Sequence, residues 1–334
     1  MLNLPEAKPT LEQLNQHLQL ARTAGDLLKQ GIALNNLGSY YKERRETTEA
    51  IEYFLEALNS FSLLQDLERK ATVLNNLGGT CHDAGQYQKA LEYFALALGT
   101  YGALGQAFGQ GMAVNNLGGV HLVLKSYEDA RRQFSIAVKF FHAAKALSWE
   151  AQSLENVAAA EAALANRKGA VESYGGALEL WQKLNQLDRQ AMIMNRIANL
   201  HAASGDTERA IELLNRALKL AQDAGNVPLQ AATYASMGNA CFEGRNWNAA
   251  QSHLVEAAQL YERCGDKKGR AQTFVAMGKL NLAAGRELLL AAATMFREVG
   301  DTAGEQATLE LIEKQEESKA TPRRHEATEK TQEG

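Results

Sequence analysis

Proline is scarce in this chain, at four in 334 residues. A sequence that seldom interrupts its helices, and that is rich in Ala, Leu, Gln and Glu, is written for helix almost throughout. Cysteine is scarcer. Cys81, Cys241 and Cys264 are odd in number, far apart and in no C-x-x-C pair. Neither a disulfide framework nor a zinc knuckle is signalled, and a reducing compartment is expected. Excess charge of one sign is missing too. Lys and Arg number 35 against 39 Asp and Glu, for a net charge of −4, which excludes a general attraction to polyanions. No apolar run approaches the ~20 residues that span a bilayer. The opening "MLNLPEAKPTLEQ" has no basic start, apolar core or small-residue cleavage site. A soluble, cytoplasmic protein is the expectation.

What the chain does have is repetition. "LNNLGS" at 34–39 returns as "LNNLGG" at 74–79 and "VNNLGG" at 114–119. Weaker copies follow at the same forty-residue step: "LENVAA", "MNRIAN", "YASMGN" and "FVAMGK". A fixed period of this size marks an array of stacked units. With repeats starting at Gly31, Ala71, Gly111, Ala151, Ala191, Ala231 and Ala271, the eighth position is always tiny: Gly38, Gly78, Gly118, Ala158, Ala198, Gly238, Gly278. The twenty-fourth is always large: Phe54, Phe94, Phe134, Tyr174, Leu214, Leu254. Apolar steps of three and four residues predict two helices per unit. The tiny residue lets the second helix approach, and the large one fills the groove. Turn signals such as "DAGQY", "ANRKG", "SGDTE" and "EGRNW" separate the two, and Gly105, "GN" at 225–226 and "GD" at 265–266 suit left-handed C-caps.

The stretch "NNLGGTCHDAGQYQKALEYFALAL" at 75–98 carries this small-and-large pattern with few departures. On it the chain resembles the tetratricopeptide repeat family from residue 10 to about 312. The forty-residue spacing is similar to the subgroup of kinesin light chains and Leu-Gly-Asn-type scaffolds. The resemblance implies an all-α, right-handed superhelical solenoid of helix-turn-helix units. The extra length over the common form is expected in longer second helices.

The ends of the array are irregular. Residues 11–26 align with 211–226, so residues 10–30 read as a half repeat holding only a second helix. Seven repeats are expected over 31–305, the last shortened where "AAGRELLLAAATMFREVGD" has lost its inter-helix turn. Residues 306–318 read as a capping helix, with Glu313 at the normally tiny position. The polar stretch 319–334 is expected to be disordered.

Packing leaves the Asn pairs unexplained. Asn35 and Asn36, Asn75 and Asn76, and Asn115 and Asn116 occupy the fifth and sixth positions, and Asn156 and Asn195 hold one of them in the next repeats. Asn inside a helix costs roughly 0.5 kcal/mol against Ala, so a return is expected. In the resembled family, first helices line the concave wall, and ladders of such amides clasp an extended peptide. By that resemblance Asn36, Asn76, Asn116 and Asn156 face a peptide, with Asn35, Asn75 and Asn115 more suited to stacking. Bonding between neighbouring repeats explains either set equally well. Farther along, the same wall presents Arg196, Asn199, Asn239 and Lys279. Family members that grip a terminal carboxylate use cations on successive first helices. Arg196 and Lys279 lie two repeats apart, which argues against such a clamp.

Signatures of catalysis are missing. No phosphate-cradling loop, nucleophile elbow or H-E-x-x-H motif occurs. Cys81, His121 and Glu161 form a series of ligand types, but successive repeats hold them on the order of 10 Å apart, too far to share a metal. No cofactor and no metal are expected, and the chain reads as a non-enzyme. The expected function is a protein–protein interaction scaffold that takes a partner peptide or helix in its groove. The alternatives are a peptide-sensing regulatory module and a substrate-recruiting arm of an enzyme complex. The leucine-rich opening helix suggests a homodimer. Nucleic-acid and membrane partners are not expected.

Overall fold

The computed structural model describes residues 9–280 and 285–320, and those residues form sixteen α-helices and no strand. The fold class is an all-α helical-repeat solenoid. The chain divides into two compact units, Met1–Leu184 and Asn185–Gly334.

The first unit holds α1 (Leu11–Thr23), α2 (Leu27–Glu43), α3 (Thr47–Leu63), α4 (Leu67–Asp83), α5 (Tyr87–Ala103), α6 (Ala107–Val123), α7 (Tyr127–Ala143), α8 (Leu147–Ala163) and α9 (Arg167–Lys183). Helices α2 to α9 are each 17 residues long. The forty-residue repeat is thus two equal twenties, and the expected lengthening of second helices alone is not found. First helices also begin four residues ahead of the nominal repeat starts, as α4 does at Leu67 and not Ala71.

The turns account for this regularity. Each is three residues long, and its middle residue is left-handed whether or not it is Gly. Gly25, Gly85 and Gly105 have φ between 65° and 72°; Arg45, Gln65, Lys125, Lys145 and Ala165 have φ between 54° and 63°. The next N–H reaches back five residues, as Asp66 N does to Phe61 O at 3.0 Å and Gln86 N to Cys81 O at 2.8 Å. This closes the preceding helix in a Schellman geometry. Several turns also cap the helix that follows: Asp26 Oδ1 accepts from Lys29 N and Asp66 Oδ1 from Arg69 N, both at 3.0 Å. These bonds hold the carboxyls of Asp26 and Asp66 below the usual carboxylate range, the backbone N–H being the largest cause.

Inside each pair the small and large positions meet. A Cβ placed on Gly38, Gly78 or Gly118 would lie 2.7, 2.6 or 2.7 Å from the rings of Phe54, Phe94 and Phe134. Contact at the first position is equally close: Gly31 packs on Phe61 and Gly111 on Phe141. These aromatic rings are buried and form the core of each junction.

The second unit holds α10 (Leu187–Ala202), α11 (Thr207–Asp223), α12 (Val227–Glu243), α13 (Trp247–Cys264), α14 (Lys267–Leu280), α15 (Gly285–Glu298) and α16 (Thr302–Ala320). Leu254 packs over Gly238 and Leu289 over Gly278, so an aliphatic side chain replaces the aromatic one. Helix α15 has 14 residues, three fewer than the standard second helix. Helix α16 buries Thr308 and Ile312 and exposes Glu313. It continues to Ala320, into the stretch expected to be disordered. The turn expected to be lost at 281–284, the tail at 321–334 and residues 1–8 lie outside the described residues. Among the described residues no helix is long and apolar enough to cross a membrane.

Candidate functional site

The Asn pairs sit in the middle of first helices, one residue apart and therefore on adjoining faces. Their amides join successive repeats. Asn76 Nδ2 donates to Asn35 Oδ1 at 3.2 Å, Asn116 Nδ2 to Asn75 Oδ1 at 2.9 Å, and Asn156 Nδ2 to Asn115 Oδ1 at 3.1 Å. Each bond links the fifth position of one repeat to the sixth position of the next, 41 residues on. Ser153 Oγ adds a second donor to Asn115 Oδ1 at 3.3 Å. Bonding between neighbouring repeats is therefore one return on these Asn residues. It spends one N–H of each sixth-position amide. The other N–H and the Oδ1 of Asn76, Asn116 and Asn156 make no bond within the protein.

Those free groups line a hollow of about 340 Å³. The structure brings Asn75, Asn76, Asn115, Asn116 and Asn156 together there, with Leu122 and the edges of Phe94 and Phe134 beneath. Gly79 and Gly119 leave its floor bare. A Cβ on Gly119 would meet nothing within 4 Å. At Gly79 that space is taken by Lys42, whose Nζ would lie 2.6 Å from such a Cβ and stands 4.0 Å from Asp83 Oδ2. His82 Nδ1 lies 3.4 Å from the other Asp83 oxygen. One end of the hollow is thus charged but balanced, and the rest is neutral amide. Asp83 lies at the thirteenth position, one of those that face the groove in the resembled family. That signal was available in the sequence, whereas the reach of Lys42 across Gly79 was not.

The remaining expected residues lie elsewhere. Asn35 is bound to Asn76 beside the hollow. Asn36 lines a separate, more apolar hollow with His17, Leu20 and Ile32, next to the opening helix α1. In the second unit Asn239 and Lys279 share a hollow of about 250 Å³ with Phe242, Glu243, Val275 and Ala276. Arg196 and Asn199 are exposed on α10. The Asn track does not continue in this unit. Asn195 is buried, donates to Thr233 Oγ1 at 2.8 Å, and leaves its Oδ1 without a partner. The position 41 residues on is Ser236, too short to repeat the amide bond.

Among the described residues no three His, Cys, Asp or Glu side chains converge as metal ligands. Cys81 lies under the amide wall, and burial pushes its thiol pKa up, away from reactive thiolate.

Comparison with known proteins agrees with this geometry. A tetratricopeptide repeat family model matches residues 29–103 and 149–223. No curated protein sequence matches the chain. Among solved structures, aspartyl phosphate phosphatase F from Bacillus subtilis is similar at a TM-score of 0.61 and 17% identity, covering 92% of this chain and 76% of that one. A Rap protein complexed with competence and sporulation factor has a TM-score of 0.53 at 16% identity, covering 94% and 82%. The kinesin light chain TPR-like repeats of Podospora anserina have a TM-score of 0.51 at 14% identity, covering 59% and 97%. At these identities the likeness establishes the fold.

Proposed function

Since the chain is built of tetratricopeptide repeats, we propose that it is a non-catalytic scaffold that docks a partner's peptide segment in the Asn-lined hollow of its first unit. The observation that carries this reading is the set of half-used amides on Asn76, Asn116 and Asn156, aligned by their bonds to the preceding repeat. Each keeps a donor and an acceptor, which is what one peptide group of an extended chain requires. The bare floor at Gly119 lets such a chain approach the helix closely. Arg196, Asn199, Asn239 and Lys279 would meet a partner on the second unit through charge and apolar contact instead. A cytoplasmic location and a homodimer through α1 are further parts of this reading. Leu20 on α1 is 60% exposed, and it is the surface a second copy would cover.

The test uses peptides selected on the wild-type protein from a library of random twelve-residue sequences. Asn76→Ala alone is ambiguous, because it removes a stacking bond as well as a docking group. Gly119→Leu is clean. Its side chain projects into open space, and Leu exceeds Gly in helix propensity by roughly 0.8 kcal/mol. Expected is loss of peptide binding with an unchanged or raised urea midpoint. Full binding by Gly119→Leu contradicts the reading.

A second reading, a regulatory module that changes shape on binding, is favoured by the likeness to a Rap protein complexed with competence and sporulation factor. Small-angle scattering with and without a selected peptide separates the two. A scaffold keeps its radius of gyration, and a sensor changes it.

A further inference from the structure

Resting on the docking site proposed above, we infer that its guest lies in a polyproline II conformation, one turn of three residues for each repeat. The inference comes from matching the repeat distance of the wall to that of the guest. Asn76, Asn116 and Asn156 stand on α4, α6 and α8 at equivalent positions, so they recur once per repeat. Amide-to-amide bonds of 2.9–3.2 Å tie each to the preceding first helix, which holds the step to that of directly packed helices. That step is about 8–10 Å.

A guest that offers every rung the same face must repeat at that distance. A polyproline II chain has three residues per turn at about 3.1 Å each, so it repeats every ~9 Å. A β-strand shows the same face every two residues, at about 6.8 Å or twice that, and falls out of step in either case. An α-helix has already used its backbone N–H and C=O groups on itself. Polyproline II makes no internal hydrogen bonds, so its main-chain groups remain available to the half-used amides. The neutrality of the wall agrees, since its one cation, Lys42, is balanced by Asp83. The guest is therefore selected by backbone form and spacing more than by charge.

Proline lacks an N–H, so it fits wherever the guest's N–H points away from the wall. The guest pattern is then three-fold: one residue in three must be other than proline, and the other two tolerate it. The test is a proline scan through twelve-residue peptides selected on the wild-type protein, with affinity measured against wild type and Gly119→Leu. Expected is a three-residue period. Proline at every third position costs about tenfold or more, as loss of a main-chain hydrogen bond should. Proline at the two intervening phases leaves affinity equal or raises it through preorganisation. Sensitivity that alternates every two residues, or recurs at three and four, overturns the inference. Peptides that bind Gly119→Leu as well as wild type contradict the docking site itself. Peptides that lose that binding but show no triplet period contradict only the polyproline II form. Failure to select any binder contradicts both.

Discussion

The close packing of Gly118 on Phe134 sets the sharpest test of the junctions. A Cβ at Gly118 would stand 2.7 Å from both Cδ1 and Cε1 of the ring, against an unstrained carbon contact of about 3.5–4.0 Å. The ring cannot swing into solvent. It is 2% exposed and packed with Ala130, Val157 and Ala160. A methyl group alone is a modest insult, since Ala158 and Ala198 occupy the same register elsewhere. Leu adds three more carbons with no room to turn. Overpacking of this kind costs about 1–3 kcal/mol, and Leu at Gly118 belongs at the top of that range. Phe134→Ala alone should cost about 3–5 kcal/mol by leaving a cavity. The double variant Gly118→Leu with Phe134→Ala places the new side chain in the vacated ring space. Its cost should fall below the sum of the singles by about 2–3 kcal/mol. Urea unfolding followed by helical circular dichroism reads all three. Strictly additive costs, or a Gly118→Leu midpoint equal to wild type, would show that these residues do not set the helix separation.

Other predictions use the same unfolding assay. Ser236→Asn supplies the missing amide donor to the buried Oδ1 of Asn195, at the 41-residue offset used three times in the first unit, and should stabilise by about 1 kcal/mol; no gain would mean the offset is not equivalent in the second unit. Ala165→Gly relieves a left-handed residue with φ of 59° and should stabilise by roughly 1 kcal/mol, whereas destabilisation would contradict the turn geometry. Tyr261 is buried and its pKa is pushed up to about 12, first by burial, then by Asp266 and Cys264. The unfolded phenol ionises near 10, so this stability is complete below pH 10 and is lost as pH rises through 12. Tyr261→Phe should flatten that alkaline loss in the second unit, and an unchanged profile would assign it to other groups.

Much of the fold was legible because two residue types recur in register. The eighth-position Gly and twenty-fourth-position Phe can repeat at forty residues only if the same two helices touch each time. The helix phase was harder to see. Arg45, Gln65, Lys125, Lys145 and Ala165 take left-handed turns without Gly, held by backbone bonds that any residue can make. The N-cap signal is uneven for the same reason. Asp26, Asp66 and Asn166 cap with their side chains, while Glu46, Gln86 and Ala146 do not. At the site, the Asn pairs were conspicuous in sequence, but their partners were not. A fifth-position amide that accepts from the next repeat's sixth position looks the same in one dimension as one that waits for a guest. Only three-dimensional stacking divides each amide into a used half and a free half.

That division can be observed directly. Nitrogen-15 spectra resolve both side-chain N–H protons of Asn76, Asn116 and Asn156, and titration with a selected twelve-residue peptide reports on each. A guest in the hollow should shift the free N–H of all three residues while leaving the proton bonded to Asn35, Asn75 or Asn115 nearly unmoved. Peptide-induced shifts confined to the second helices α3, α5 and α7, with all six amide protons unchanged, would contradict the account.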